Sequence, residues 1–382
     1  MTRVSGDWVT FEPTQTVFSM LEDAGHQAFF VGGCVRNALL GEPVGDLDIA
    51  TNARPQQVLD RASQVGLKAI PTGIDHGTVT VVSQGLPHEI TTFRADVETD
   101  GRHAIVNFCD HMEDDALRRD FTMNALYADR RGMVVDPLGG VADLTARRVR
   151  FIQDADKRIR EDFLRILRFF RFNAWYGDPA LGWDADALAA ISENIAGLSS
   201  LSRERVGGEI TKLLLAPDPA PAVSAMAQTG ALAACLPGAS PVSLPVLVHL
   251  EQMEGVAPDA LRRLAGIGVF DGKSLRFSKK MLTRLIRIQD ALGAMMTPAE
   301  LGYRHGFDLA RDTLLIRGAL AGTPVAAKDL TWARQGSTAK FPIAARDLMP
   351  ALSGPALGDK LKELETRWIA SRFTETRDDL LR

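Results

Sequence analysis

Cysteine, excess basic charge and long apolar runs are all scarce in this chain. Its 382 residues hold three cysteines, Cys34, Cys109 and Cys235, at no spacing suited to a metal or redox pair, so a reducing compartment is expected. The formal net charge is −4, which excludes a uniformly basic nucleic-acid binder but leaves room for a local basic groove. No run approaches the roughly 18 apolar residues of a membrane span. The opening MTRVSGDWVTFEPTQTVFSM lacks the charged-then-apolar order of a signal peptide, and a cytoplasmic location is expected. His76, His88, His103 and His111 have no zinc spacing, and no His-Asp dipeptide of a phosphohydrolase domain occurs. There is no repeat of solenoid period and no low-complexity tail.

What is present changes character along the chain. Residues 16–28 read as helix, QAFFVGG as a buried strand ending in a turn, and CVRNALLG as a helix stopped by Gly41. DLDIAT, GTVTVVSQ and HEITTFRAD read as strands. Beyond about residue 150 the pattern is helical, in KRIREDFLRILRFFRFNAWYG, RERVGGEITKLLLA, AVSAMAQTGALAACL, KKMLTRLIRIQDALGAMM and DKLKELETRWIASRF. LAPDPAPA and LPGASPVSLP mark loops between helices. The expected fold class is α+β. It would comprise a mixed-sheet head over 1–150, a helical neck over 151–240 and a helical body and tail over 241–382.

One stretch, VGGCVRNALLGEPVGDLD at 31–48, concentrates the chemistry. In a strand, residues i and i+2 share a face, so Asp46 and Asp48 would project together with Leu47 turned to the core. Two adjacent carboxylates repel unless a cation lies between them, and magnesium suits oxygen ligands and substrate phosphates. Gly32 and Gly33 let backbone N–H groups approach an anion at a helix start, and Arg36 adds a forked cation. D-x-D alone is common on surface strands. GGCVRN is not G-x-G-x-x-G, and no βαβ unit follows it, which disfavours a dinucleotide site.

In combination these residues resemble the nucleotidyltransferase superfamily that includes DNA polymerase beta. In detail they are similar to the bacterial-type (class II) tRNA nucleotidyltransferases, or CCA-adding enzymes, and to the related bacterial poly(A) polymerases. The resemblance continues in HGTVTV, HEITTFR, TDGRHAIVNF, RRDFTMNALY, DPLGGVADL and RIREDFLRILRFFRF. It departs at Asn37, where the family usually has Asp, so the ion pair that would fix Arg36 is missing. The resemblance implies a polymerase-beta-like head and Mg2+ on Asp46 and Asp48. It also implies a third carboxylate, Glu89, to help deprotonate the attacking hydroxyl.

In RRDFTMNAL the resemblance favours Arg119 as a nucleotide contact, with Asp120 accepting from a ribose hydroxyl and Asn124 sharing its helical face. The same segment also fits a capped amphipathic helix. The resemblance further implies that Asp162 and Arg165, i and i+3 on one helix, read the pairing edges of C and A, while Arg168 and Arg171 complete the nucleotide pocket. A salt-bridged helix, with Glu161 facing Arg165, is the competing reading.

Two basic stretches, RRVRFIQDADKRIREDFLRILRFFR and the acid-free KSLRFSKKMLTRLIR at 273–287, suit RNA phosphates, with Arg276, Lys279 and Lys280 as contacts. Trp175 and Tyr176 read as packing residues of the neck. The implied activity is template-independent addition of C, C and A to a tRNA 3′ end from CTP and ATP, releasing pyrophosphate, with no DNA or membrane partner. ADVETDGRHAIVNF, which restricted CC-adding relatives tend to lose in part, is present and favours the full activity. The alternatives are a poly(A) polymerase, a CC- or A-adding enzyme, or a non-catalytic RNA-binding module.

Overall fold

The computed structural model describes residues 2–99 and 104–382, with backbone alone for 96–99 and 104–106. Residues 100–103 of ADVETDGRHAIVNF, including His103, lie outside the described residues. The chain folds into two compact units, Met1–Arg205 with Gln228–Cys235, and Val206–Ala227 with Leu236–Arg382. The α+β expectation holds: the strands lie in the first unit, and the described residues of the second are helical or irregular.

In the first unit the strands are β1 (Ala28–Val31), β2 (Asp48–Thr51), β3 (Lys68–Gly73), β4 (Thr78–Ser83), β5 (Leu86–Thr92), β6 (Arg94–Thr99), β7 (Ala104–Phe108), β8 (Tyr127–Ala128) and β9 (Val134–Val135). A seven-stranded sheet has the order β3-β4-β5-β2-β1-β8-β9, and β6 pairs with β7. The sheet is mixed, because β2 runs antiparallel to β1 and parallel to β5. The expected helix at 16–28 runs instead over Glu12–Glu22. Pro13 suits its first turn, and Gly25 at φ 83° cannot prolong it.

A second correction concerns β2. DLDIAT was expected to be a strand throughout, but the strand starts at Asp48 and Asp46 sits in the preceding bend. The pleat therefore does not bring the two aspartates together; the bend does. A third concerns KRIREDFLRILRFFRFNAWYG, expected as one helix. It breaks into Ala155–Glu161 and Leu164–Tyr176. Asp162 at the break is extended (φ −155°, ψ 104°), and its Oδ1 accepts the Leu164 N–H at 3.1 Å, restarting the chain as a cap does.

The Leu164–Tyr176 helix is held by aromatic packing. Phe121 lies 4.9 Å from both Phe151 and Phe172, and Phe151 stacks on Phe169 at 5.6 Å. This fixes the helix on the 118–126 segment and brings Arg168 to Asp120 and Tyr176 to Arg36.

The second unit is organised around buried ions that hydrophobic patterning does not reveal. Arg262 and Arg263, each 1% exposed, share Glu251, and Arg262 also reaches Asp312. Arg263 Nη1 donates to the carbonyls of Leu214 and Ala216, closing the end of helix Arg203–Leu214. The helices Pro298–His305 and Ala327–Thr338 touch at glycine: a Cβ on Gly302 would run into the Ala333 carbonyl oxygen. Among the described residues, no helix is long and apolar enough to cross a membrane.

Candidate active site

Three carboxylates gather around the start of β2. Asp48 is paired in parallel register with Glu89 of β5, and Asp46 precedes it by two residues. Burial, then the neighbouring Glu89, push the Asp48 carboxyl up to about 6; Arg119 opposes this and Asp46 adds to it. A carboxylate raised by its own kind is one that a cation would relieve. The donors are all oxygens, as a hard cation prefers. Among the described residues, no three carboxylate, imidazole or thiol groups close on a single point. The set is therefore open, which fits magnesium: it commonly takes one or two carboxylates and completes its shell with water and phosphate.

Beside the carboxylates is the glycine turn. Gly32 has φ 71° and ψ −115°, caps helix Gly33–Leu40 and donates its N–H to the Leu126 carbonyl at 2.9 Å. The helix ends as expected at Gly41, in the left-handed region at φ 73°. A side chain at Gly32 would be strained by that φ, and its Cβ would lie 3.4 Å from Arg119 Nη1. Gly33 opens the helix, whose first N–H groups have no intrahelical acceptor.

Arg36, 7% exposed, is the centre of a network. Its Nε and Nη2 donate to Asn37 Oδ1 at 3.2 and 2.9 Å, Nη1 to Asn124 Oδ1 at 2.9 Å, and Nη2 to the Tyr176 hydroxyl at 2.8 Å. The guanidinium also lies 4.1 Å from the Tyr176 ring centroid and 5.1 Å from that of Phe172. All four hydrogen bonds that Arg36 donates go to neutral acceptors, so no carboxylate pairs with it directly, and burial lowers it from the usual arginine value, with Tyr176 opposing the shift. Asn37 meets both Arg36 donors with its single amide oxygen, without an aspartate's charge, and is itself anchored by donating to the Pro43 carbonyl at 2.9 Å.

From Asn124 the network continues to Asp120, whose Oδ1 accepts from Asn124 Nδ2 at 3.1 Å and whose Oδ2 accepts from Arg168 Nε at 2.6 Å. Burial would raise the Asp120 carboxyl, but Arg168 and Asn124 hold it below the usual range. The segment is not the amphipathic helix weighed from its sequence. A helix at Met112–Leu117 stops, and a short 3-10 turn covers Thr122–Asn124. Asp120 and Asn124 are brought together by that turn. Arg171 lies 4.6 Å from the Phe172 ring, and its charge, like that of Arg168, acts on Arg36.

Asp162 and Arg165 do not form the expected helical pair. Asp162 Oδ2 takes Arg205 Nη2 at 2.6 Å. Arg165 turns inward, donating from Nη1 to Glu161 at 2.7 Å and to the Arg158 carbonyl at 2.9 Å, and from Nη2 to the Arg118 carbonyl at 2.8 Å. The reason is the helix break at Asp162, which removes the i, i+3 geometry and leaves Glu161 as the i, i+4 partner. Arg205 and Tyr176 are the residues that sequence reasoning missed. Neither carries a spacing signal, and from sequence alone Tyr176 reads as packing.

In the second unit Lys279 and Lys280 open the helix Lys279–Gly293 and are exposed, as is Arg276 at φ 54°. Lysines at a helix N-terminus oppose its dipole, so their place needs a reason other than helix stability. The rest of that basic stretch is not a uniform face: Arg284 pairs with Asp259 and Asp312, and Arg287 donates to the His305 carbonyl at 3.1 Å.

Comparison with known proteins agrees with this geometry. A family model described as "Poly A polymerase head domain" matches residues 28–150, and one described as "Probable RNA and SrmB- binding site of polymerase A" matches 184–242. A CCA-adding enzyme of Geobacillus thermodenitrificans (strain NG80-2) is 35% identical over 334 residues, 82% of this chain and 79% of the relative. The chain belongs to the CCA-adding enzyme family. It is a nucleotidyltransferase, and its family is generally dependent on divalent metal. Another CCA-adding enzyme, of Geobacillus stearothermophilus, is 42% identical over 230 residues, 60% of this chain and 55% of that relative. A crystal structure of the Bacillus stearothermophilus CCA-adding enzyme in complex with CTP superposes with a TM-score of 0.70 at 29% identity, covering 94% of this chain and 93% of the other.

Proposed function

We propose that this chain adds C, C and A in turn to the 3′ end of tRNA, using CTP and ATP and releasing pyrophosphate, in the cytoplasm where those substrates are found. The observation that carries the reading is the continuous network Arg36–Asn124–Asp120–Arg168 beside the Asp46, Asp48 and Glu89 carboxylates.

In the transfer, the tRNA 3′ oxygen forms a bond to the α-phosphorus of the nucleotide while the bond from that phosphorus to the bridging oxygen breaks, and pyrophosphate leaves. Asp46 and Asp48 would hold Mg2+. When bound, it supplies charge stabilisation to the phosphate oxygens. Glu89 takes the proton of the attacking hydroxyl. The N–H groups at Gly32 and Gly33, together with Arg36 and Arg119, carry the triphosphate. Asp120 accepts from the ribose hydroxyl, and Asn124 fixes it. Arg168 and Arg171 close the pocket.

Asp162 presents an acceptor to the exocyclic amine of C or A. Its carboxylate retains lone pairs beyond those used by Leu164 and Arg205. Arg165 would donate to the same base edge only by turning outward from Glu161 and the two carbonyls that hold it in the free protein. Arg276, Lys279 and Lys280 meet RNA phosphates.

The test is incubation with a tRNA trimmed of its last three nucleotides, magnesium and each nucleotide. Two C followed by one A is expected. Unlimited A would replace the reading with poly(A) addition, C alone or A alone with a partial activity, and binding without incorporation with an RNA-binding module.

A further inference from the structure

Arg119 of the RRDF motif is held by a buried carboxylate outside that motif. Asp115, four residues earlier, is 1% exposed. Its Oδ1 accepts from Arg118 Nε and Nη2 at 2.8 and 2.6 Å. Its Oδ2 accepts from Arg119 Nε and Nη2 at 3.2 and 3.0 Å and from the Tyr127 hydroxyl at 2.7 Å. Tyr127 is fully buried, and its hydroxyl also accepts from Arg119 Nε at 3.2 Å. Isolating a carboxylate from water is costly unless it is fully bonded, and here both oxygens are. Burial alone would raise the Asp115 carboxyl, but Arg119 and Arg118, with the Tyr127 hydroxyl, hold it well below the usual carboxylate range.

The consequence falls on Arg119. One edge of its guanidinium, Nε and Nη2, is fixed by Asp115 and Tyr127. Nη1 makes no hydrogen bond among the described residues and comes to the glycine turn, 3.4 Å from where a Cβ of Gly32 would stand. The same charge lowers Asp48 against its other neighbours. One carboxylate is shared by two arginines, so Asp115 cannot neutralise both and Arg119 keeps positive charge to offer beyond this pair.

We propose that Asp115, supported by Tyr127, is a positioning residue for nucleotide transfer: it locks Arg119 so that Nη1 meets the nucleotide phosphates between the Gly32 turn and Asp48. A flexible guanidinium would lose rotamer freedom when it met phosphate; a fixed one has lost it already. The inference rests on the nucleotidyltransferase reading above. A simpler role, in which Asp115 only ties helix Met112–Leu117 to β8, makes different predictions.

The test compares wild type, Asp115→Asn, Tyr127→Phe, Arg119→Ala and the double variant Asp115→Asn/Arg119→Ala. Three quantities are measured: kcat and KM for CTP on one trimmed tRNA, CTP binding by calorimetry without tRNA, and inhibition by pyrophosphate. Asp115→Asn should lower kcat/KM and weaken CTP and pyrophosphate binding by roughly 10- to 100-fold, the usual scale for a lost charge-assisted hydrogen bond, and Tyr127→Phe by roughly threefold to tenfold.

In the Arg119→Ala background, Asp115→Asn should cost less than about twofold further, because its target is gone. The same factor lost again in that background would overturn the proposal, as would unchanged CTP binding in both Asp115→Asn and Tyr127→Phe. If Asp115→Asn fails to fold, Tyr127→Phe carries the same comparison. A wild type that bound CTP but transferred nothing to tRNA would count against the functional reading alone, and the binding comparison would still decide the role of Asp115.

Discussion

The Tyr176 hydroxyl accepts a hydrogen bond from Arg36 Nη2 at 2.8 Å, and the ring of the same tyrosine lies 4.1 Å from the same guanidinium. With Asn37 in the family's aspartate position, this tyrosine does part of the work of a missing counter-ion: it steadies the cation without neutralising it. Tyr176→Phe should keep the ring contact and lose about 1 kcal/mol, a roughly fivefold rise in KM for nucleotides. Tyr176→Leu also removes a cation–π contact of ~1–2 kcal/mol, for a combined loss of roughly 30- to 150-fold. Equal KM values across the three proteins would remove Tyr176 from the site.

Asp48→Asn should abolish transfer while leaving the melting temperature unchanged or higher. The carboxylate sits buried beside Glu89 and Asp46, so its charge strains the folded state that its chemistry needs. The sign of the pH dependence follows. A folded value near 6, above the ordinary value near 4, means the contribution of this group is complete below about pH 4 and lost as pH rises through 6. Thermal scans of wild type and Asp48→Asn between pH 4 and 7 read this directly; a variant markedly less stable than wild type at pH 7 would contradict it. Residual transfer of more than a few per cent in either Asp46→Ala or Asp48→Ala would end the metal-ligand assignment.

Asp115 works in the opposite direction. Its folded value is depressed, so the stability it contributes is present above the unfolded value near 4 and is lost as pH falls below it. Wild type should lose melting temperature steeply on acidification below about pH 4, and Asp115→Asn should show a shallower loss over the same range. Parallel curves would mean that this carboxylate does not dominate the acid response.

Asp162→Ala removes an acceptor and also the repulsion that a carbonyl would meet there. Relative kcat/KM should fall for CTP and ATP and shift toward UTP or GTP by roughly tenfold, the effect of ~1–3 kcal/mol per opposed polar contact. A variant that kept its preference for C and A would leave Asp162 with structural roles alone, the Leu164 cap and the Arg205 ion pair.

RNA affinity should fall steeply with salt, and Lys279→Glu with Lys280→Glu should weaken it further without changing CTP affinity. Filter binding at several salt concentrations reads both slope and affinity; an unaltered affinity would dismiss this helix start as an RNA contact.

Much of the molecule could be read from residue order alone, because the relevant physics is local. The β1–turn–helix unit ending at Gly41 follows from an apolar run, two glycines and a helical period. The α+β class follows from the change in periodicity near residue 150, although the compact units divide at Arg205 and Val206 rather than at the expected 150 and 240, because the first helices of the neck pack with the head. The chemistry of the carboxylates and arginines follows from residue types at short spacings. Tertiary structure decided whatever depends on what comes to stand beside a residue. The break at Asp162, which sent Arg165 to Glu161 and gave Asp162 to Arg205, reflects a cap outcompeting helix continuation. The meeting of Arg36 with Tyr176, 140 positions away, depends on phenylalanine packing that seats the Leu164–Tyr176 helix against the 118–126 segment. The buried group of Glu251, Arg262, Arg263 and Asp312 is silent in sequence for the same reason: charged residues read as surface until the fold supplies each one's partner.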